Sequence, residues 1–239
     1  MVNTFKKTVD DKAVVKDYFN NKGFDRWRNI YGDGKVNKVQ LDIRDGHQQT
    51  IDTVVDWLQQ DGNLSQLTIC DAGCGVGSLT LPLAKDGATV YASDISAKMV
   101  GEAASRIKQE LINPRNIRLD VQDLESIRGS YDTVICLDVL IHYPTKDAAK
   151  MIAHLSSLAK GRLILSFAPK TFLLTILKRI GEFFPGPSKT TRAYQHKEED
   201  IVKILQDNGF TIKRTGMTST SFYYSRILEA VRLSDKMKI

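Results

Sequence analysis

The sequence predicts a single α/β unit, a mostly parallel twisted sheet wound on both faces by helices, and three observations predict it. From Leu67 onward, short β-type apolar runs alternate with helical patterns. A glycine turn, "CDAGCGVG", joins the first run to the first of these helices, and acidic residues recur at the ends of successive runs. With 239 residues, 42% of them hydrophobic and 26% charged, the chain can bury one sizeable core without dividing.

The elements follow in order. Residues 1–66 read as an N-terminal helical arm: a helical stretch near "KAVVKDYF", a polar–aromatic loop "GFDRWRNIYGDG", then a helix. In that helix Ile51, Val54, Val55 and Leu58 fall at i, i+3, i+4 and i+7, one apolar stripe for the core. The α/β core occupies residues 67–168, with strands "LTIC", "TVYAS", "IRLDV", "TVICL" and "RLILSF". Between them lie the helical segments "SLTLPLAKDG", "SAKMVGEAASRIKQEL" and "TKDAAKMIAHLSSLAK". Proline fits only a first turn, so Pro82 places the start of its helix at about Gly77 or Ser78. Residues 169–192 are an insert whose Leu173, Ile176, Leu177, Ile180 and Phe184 form a stripe, stopped by Pro185 and Pro187. Residues 193–239 complete the core. Their helix "KEEDIVKILQDNG" ends on Gly209, and "FTIKRT" and "TSFYYSRILEA" read as a terminal pair of strands.

Composition narrows the function classes. Three cysteines, Cys70, Cys74 and Cys136, make an odd count without zinc-like spacing and read as small core residues. Met1–Asp11 lack the apolar core of a signal peptide, and no run reaches the ~20 apolar residues of a membrane span, so a cytoplasmic or peripheral protein is expected. The net charge of +6 is concentrated late: Lys160, Arg162, Lys170, Lys178, Arg179, Lys189 and Arg192 face only Glu182 in that stretch. Such a patch suits an anionic substrate, a membrane surface, a nucleic acid or simply solvent.

The glycine turn is the most informative stretch. A dinucleotide site needs a third glycine three positions after the second, yet Ser78 stands there, and no Gly-Lys-Ser/Thr follows to make a phosphate loop. Gly73, Gly75 and Gly77 instead recur at every second position behind Asp71, whose charge would repel a pyrophosphate but could accept from a cationic amine. Asp94 ends the next strand, where a carboxylate can take both hydroxyls of a ribose. Asp123 follows the third strand and could accept from an adenine amino group. Each acid alone would equally suit a loop or a helix cap. In order, they suggest a nucleoside carrying an amino acid, and Ile95, Leu124 and Asp138 complete the expected cofactor-binding set.

The D-x-G-x-G-x-G turn with these acids resembles the class I S-adenosylmethionine-dependent methyltransferases, which have a Rossmann-like fold. The segments "YFNNKGFDRWRNIYGDGKVNKVQLDIRDGHQQT", "CLDVLIHYP", "SFAPKTF", "FPGPSKTTRAY" and "FYYSR" are more particular. Together they resemble the magnesium-protoporphyrin IX O-methyltransferases of chlorophyll synthesis, in their cyanobacterial form, from about Ala13 to about Ala230. Asn20, Asn21 and Lys22 depart from the family's usual Asn-Ser-Thr. The resemblance implies S-adenosylmethionine (SAM) as donor, S-adenosylhomocysteine (SAH) as product, and one propionate carboxylate of the porphyrin as acceptor. It implies no protein-bound metal, the magnesium being carried by the porphyrin. It also implies magnesium chelatase as a partner, peripheral contact with photosynthetic membranes and no nucleic acid.

Tyr31 and His142 are the expected catalytic pair. His142, just past the fourth strand, would orient the propionate or ligate the porphyrin magnesium, unless loop backbone satisfies it. Tyr31 would donate to the carboxylate or pack over the cofactor, unless it is an amphipathic residue at a core edge. The insert is read as a substrate lid, with membrane anchoring and core packing as alternatives. A quinone or other small-molecule O-methyltransferase is the second reading, and a nonenzymatic membrane or nucleic-acid adaptor the third.

Overall fold

The structure, a computed structural model, describes residues 11–32, 34–112, 114–170 and 193–233. Five β-rich runs become β1 (Thr68–Ala72), β2 (Thr89–Asp94), β3 (Ile117–Val121), β4 (Tyr131–Cys136) and β5 (Ala159–Phe167). Two more, β6 (Phe210–Ser219) and β7 (Tyr224–Arg232), complete a seven-stranded sheet in the order β3-β2-β1-β4-β5-β7-β6. The pairs β3–β2, β2–β1, β1–β4 and β4–β5 are parallel, while β7 runs antiparallel to both β5 and β6. Strand order reverses between β1 and β4, and ligands of such sheets bind outside the carboxyl ends at that point. The glycine turn leaves β1 there.

The helices are α1 (Asp11–Asn20), α2 (Phe24–Tyr31), α3 (Lys38–Gln60), α4 (Thr80–Lys85), α5 (Ala97–Glu110), α6 (Thr145–Leu158) and α7 (Glu198–Asp207). The expected stripe of α3 is buried: Ile51, Val54 and Leu58 pack with Leu83 of α4 and with Ile164 and Ile227 of the sheet. On the opposite face Ile152 and Leu155 of α6 and Ile201 and Leu205 of α7 close over Leu163, Leu165 and Phe210. The three cysteines are buried and free of disulfides.

Three local expectations need correction. The stretch "GFDRWRNIYGDG" is not a loop, because residues 24–31 form α2. Trp27, Ile30 and Tyr31 recur at i, i+3 and i+4, and Arg44 of α3 absorbs the helix's orphan carbonyls by donating to Asn29 O (2.6 Å) and Ile30 O (2.8 Å). The helix at Pro82 starts at Thr80 rather than Gly77 or Ser78, since Gly77 sits at φ +81°, outside helical space. Pro82 still falls in its first turn. The last strand starts at Tyr224, because Asp42 of α3 holds residues 220–223 as a turn, accepting from Thr220 Oγ1 (2.6 Å) and the Phe222 N–H (2.7 Å).

Two members of the basic stretch are committed to partners. Lys160 pairs with Asp132 at 3.2 Å, and Arg162 lies 2.6 Å from Asp61 and 3.1 Å from the buried Glu229. Lys178, Arg179, Lys189, Arg192 and the apolar stripe of the insert lie outside the described residues. The two roots of the insert are stapled together: Pro169 bridges to His196, and the Lys170 N–H donates to His196 O at 2.7 Å. Among the described residues no helix is long and apolar enough to cross a membrane.

Candidate active site

The site begins at the end of β1. Gly73, Gly75 and Gly77 lie at φ +87°, +54° and +81°, a run of left-handed backbone that glycine adopts without cost. A Cβ on Gly73 would stand 2.2 Å from Val139 Cγ2, so only glycine lets the loop after β4 approach. A Cβ on Gly75 would meet nothing within 4 Å, because that residue faces a cavity. Asp71 lies beneath the turn. It is 3% exposed, accepts from Thr80 Oγ1 at 2.6 Å, and is absent from the cavity wall. Burial, with the charge of Asp94 adding to it, pushes its carboxyl up to about 6. Its position ties β1 to the first turn of α4.

Asp94, at the end of β2, is on the cavity wall. Its Oδ2 accepts from the Gly75 N–H at 3.1 Å and its Oδ1 from the Ser96 N–H at 2.8 Å, so the carboxylate also shapes the turn. Gly73, Ile95, Leu124 and Asp138 share that wall, whereas Gly77 packs toward Ala103 of α5. Asp123 also stands off the wall. It caps the turn at residues 124–126 through the Ser126 N–H (2.9 Å) and pairs with Lys12 of α1 at 3.4 Å, which fastens the arm over the cavity.

Asp138 is the one non-glycine residue at positive φ among those described, at 57°. Its carboxylate accepts from four side chains: His47 Nδ1 (2.8 Å), Tyr223 OH (2.7 Å), Ser166 Oγ (3.0 Å) and Ser225 Oγ (3.4 Å). Burial alone would raise its pKa, but the bonds from His47, Tyr223 and Ser166 hold it below the usual carboxylate range. The four donors offset backbone strain of order 1–3 kcal/mol for such a conformation. Among the described residues the cavity wall thus carries two carboxylates, Asp94 and Asp138, and no lysine or arginine. That pair of acceptors fits a ligand with hydroxyls and a positive charge and is a poor fit to a pyrophosphate.

Tyr31 and His142 are brought together. Tyr31 ends α2, its ring 4.1 Å from that of His47 and 5.2 Å from that of Trp27. Burial, reinforced by the charge of Asp138, raises its phenol well above the ordinary value of 10, so it stays an O–H donor. His142 closes the short turn Leu140–His142, with the Phe19 ring edge-on at 5.3 Å. Burial lowers it to about 4 against only partial opposition from Asp138, so the imidazole is neutral at pH 7.

Beyond these two side chains lies a second cavity of about 330 Å³. Trp27, Tyr31, Asp138 and His142 line both cavities and make their shared wall. Ile43, Phe167 and Phe222 supply apolar surface to the second, and Ala168 and Ala193, at the two roots of the insert, lie on its rim. Arg26, Trp27, His47 and Tyr223 were not expected here from sequence. His47 had a legible signal, a polar residue four before Ile51 in the buried stripe of α3, whereas Tyr223 reaches Asp138 only through the sheet.

The strand order, the glycine turn and the acidic cavity define a class I SAM-dependent methyltransferase, and residues 69–161 match the family model described as a methyltransferase domain. Residues 136–232 match that for the magnesium-protoporphyrin IX methyltransferase C-terminus. The chain is 69% identical over 224 residues, 94% of its length and 97% of the relative's, to the magnesium-protoporphyrin O-methyltransferase of Synechocystis sp.. Crystal structures of magnesium protoporphyrin IX methyltransferase from Synechocystis PCC 6803 superpose at TM-score 0.88 with bound SAH (67% identity; 93% of this chain, 100% of that one) and 0.85 with bound SAM (62%; 95% and 99%). The chain belongs to the magnesium-protoporphyrin IX methyltransferase family.

Proposed function

We propose that this chain transfers a methyl group to one propionate carboxylate of magnesium-protoporphyrin IX, giving the monomethyl ester in chlorophyll biosynthesis. Bound SAM supplies the methyl group. The observation that carries the reading is the shared wall: a cavity with the acids and glycine turn of a SAM site meets an apolar cavity at Tyr31 and His142. A propionate has a pKa near that of glutamate, ~4.3, and is ionised at neutral pH, so the site needs no strong base. The Tyr31 phenol and the His142 imidazole, both neutral at pH 7, agree with this. The Tyr31 O–H and a His142 N–H would hold a carboxylate oxygen in line, and positioning of this kind can remove about 7–11 kcal/mol of a barrier. Asp94 and Asp138 would balance the positive donor on its own side. Trp27 and Phe19 would exclude water from the meeting point.

Magnesium chelatase as the partner that delivers the porphyrin, and a location in the cytoplasm or at the face of photosynthetic membranes, belong to the same proposal; family membership supports them. The test is incubation with methyl-labelled SAM and magnesium protoporphyrin, followed by mass analysis of the pigment. One label per porphyrin, removable by ester hydrolysis, is the expected product. Unlabelled porphyrin, with label passing readily to a quinol instead, would overturn the assignment.

A further inference from the structure

Arg26 lines the second cavity and, among the described residues, ties no two elements together through a hydrogen bond or an ion pair. The other arginines around the arm are all engaged. Arg28 pairs with Asp25 at 3.3 Å, Arg44 donates to three backbone carbonyls, and Arg106 donates to Tyr31 O, Val76 O and Ser78 Oγ. Arg26 makes no hydrogen bond and has no carboxylate within ion-pair distance among the described residues, and its Nε is buried without a partner. Its guanidinium lies 5.6 Å from the centre of the Trp27 ring, a cation–π contact that fixes its orientation. Burying a guanidinium N–H without an acceptor is costly, so an arginine in this state is arranged for an anion that arrives with a ligand.

We propose that Arg26 is the anchor for the second carboxylate of the acceptor, the propionate that is not methylated. This rests on the proposed function, in which the acceptor is a porphyrin with two ionised propionates on one edge. One carboxylate enters the wall at Tyr31 and His142; its neighbour pairs with Arg26, whose planar fork suits a carboxylate. The arrangement also explains a single methylation. A second transfer would require the porphyrin to turn, bringing the new ester to Arg26 and leaving the guanidinium unpaired once more.

The test compares Arg26→Gln with the wild type in the presence of saturating SAH, so that no turnover occurs. Two probes are titrated by pigment absorbance: magnesium protoporphyrin as the free diacid, and its dimethyl ester. The proposal predicts that Arg26→Gln weakens the diacid about 10- to 100-fold, the usual range for a lost charge-assisted hydrogen bond. The dimethyl ester should bind both proteins alike, and Arg26→Lys should recover part of the diacid affinity. Unchanged diacid affinity would overturn the proposal, as would equal weakening of both probes, which would mark Arg26 as mere packing on Trp27. Calorimetry with SAH guards against misfolding. A wild type that neither binds nor methylates the diacid would overturn the proposed function instead, and the same preparation reveals it.

Discussion

Two carboxylates, Asp94 and Asp138, and two imidazoles, His47 and His142, set the electrostatics of the donor side. Asp94 has both oxygens occupied by the Gly75 and Ser96 amides, so its removal loosens the turn as well as the ligand. Asp94→Ala is expected to raise the KM for SAM about 10- to 100-fold with kcat largely kept, since hydroxyl contacts hold the ground and transition states alike. Asp94→Asn should not restore binding, because its amide group would turn an N–H toward one of those backbone donors. A collapsed kcat with intact calorimetric binding would contradict this role. His142 has a pH consequence of its own. Its folded pKa, about 4, lies below the ordinary 6.5, so its contribution to stability is complete above about pH 6.5 and is lost as pH falls toward 4. Thermal melts of His142→Phe from pH 7 to pH 4 should therefore fall less steeply than those of the wild type. Parallel curves would show that the imidazole titrates as in water. The same shift predicts that the wild-type rate shows no step near pH 6.5.

At the scale of elements, α3 organises the acceptor side. Its Asp42 fixes the turn before β7, its Arg44 caps α2, and its His47 holds Asp138. Gly46 makes room for the partner of that contact: a Cβ there would stand 2.5 Å from the Tyr223 ring. Gly46→Ala should displace Tyr223 and cost about 1–3 kcal/mol, as overpacking does, measurable by chemical denaturation. Wild-type stability in that variant would mean that the ring has room to move. What was legible in the sequence divides along the same line. The sheet, the glycine turn and the α3 stripe were readable because each is written in a local period or spacing. Helix α2 reads as a loop in the sequence because glycines bracket eight residues, and its carbonyls are satisfied by Arg44, fourteen positions on from Ile30. Asp71 and Asp123 were readable as strand-end acids but not as a brace beneath the turn and a cap tied to Lys12, since both depend on partners that folding brings in.

At the scale of the molecule, the two cavities are built from distant parts of the chain. The glycine turn and the β2 and β4 ends make one; α2, α3 and the β6–β7 turn make the other; only folding sets them back to back. Tyr31 and His142 were legible as candidates from resemblance and strand-end position, but their common wall was not, because residue 31 reaches residue 142 through the packing of the arm on the sheet. Methyl transfer takes place, on this reading, across that wall. Single-turnover rates of Tyr31→Phe and His142→Ala, with SAM and magnesium protoporphyrin both saturating, test it most directly. Rates about 10- to 100-fold below the wild type are expected, with affinities for both ligands nearly unchanged, as for groups that align the reacting atoms rather than supply affinity. Wild-type rates in both variants at saturation, with any deficit confined to binding, would contradict it.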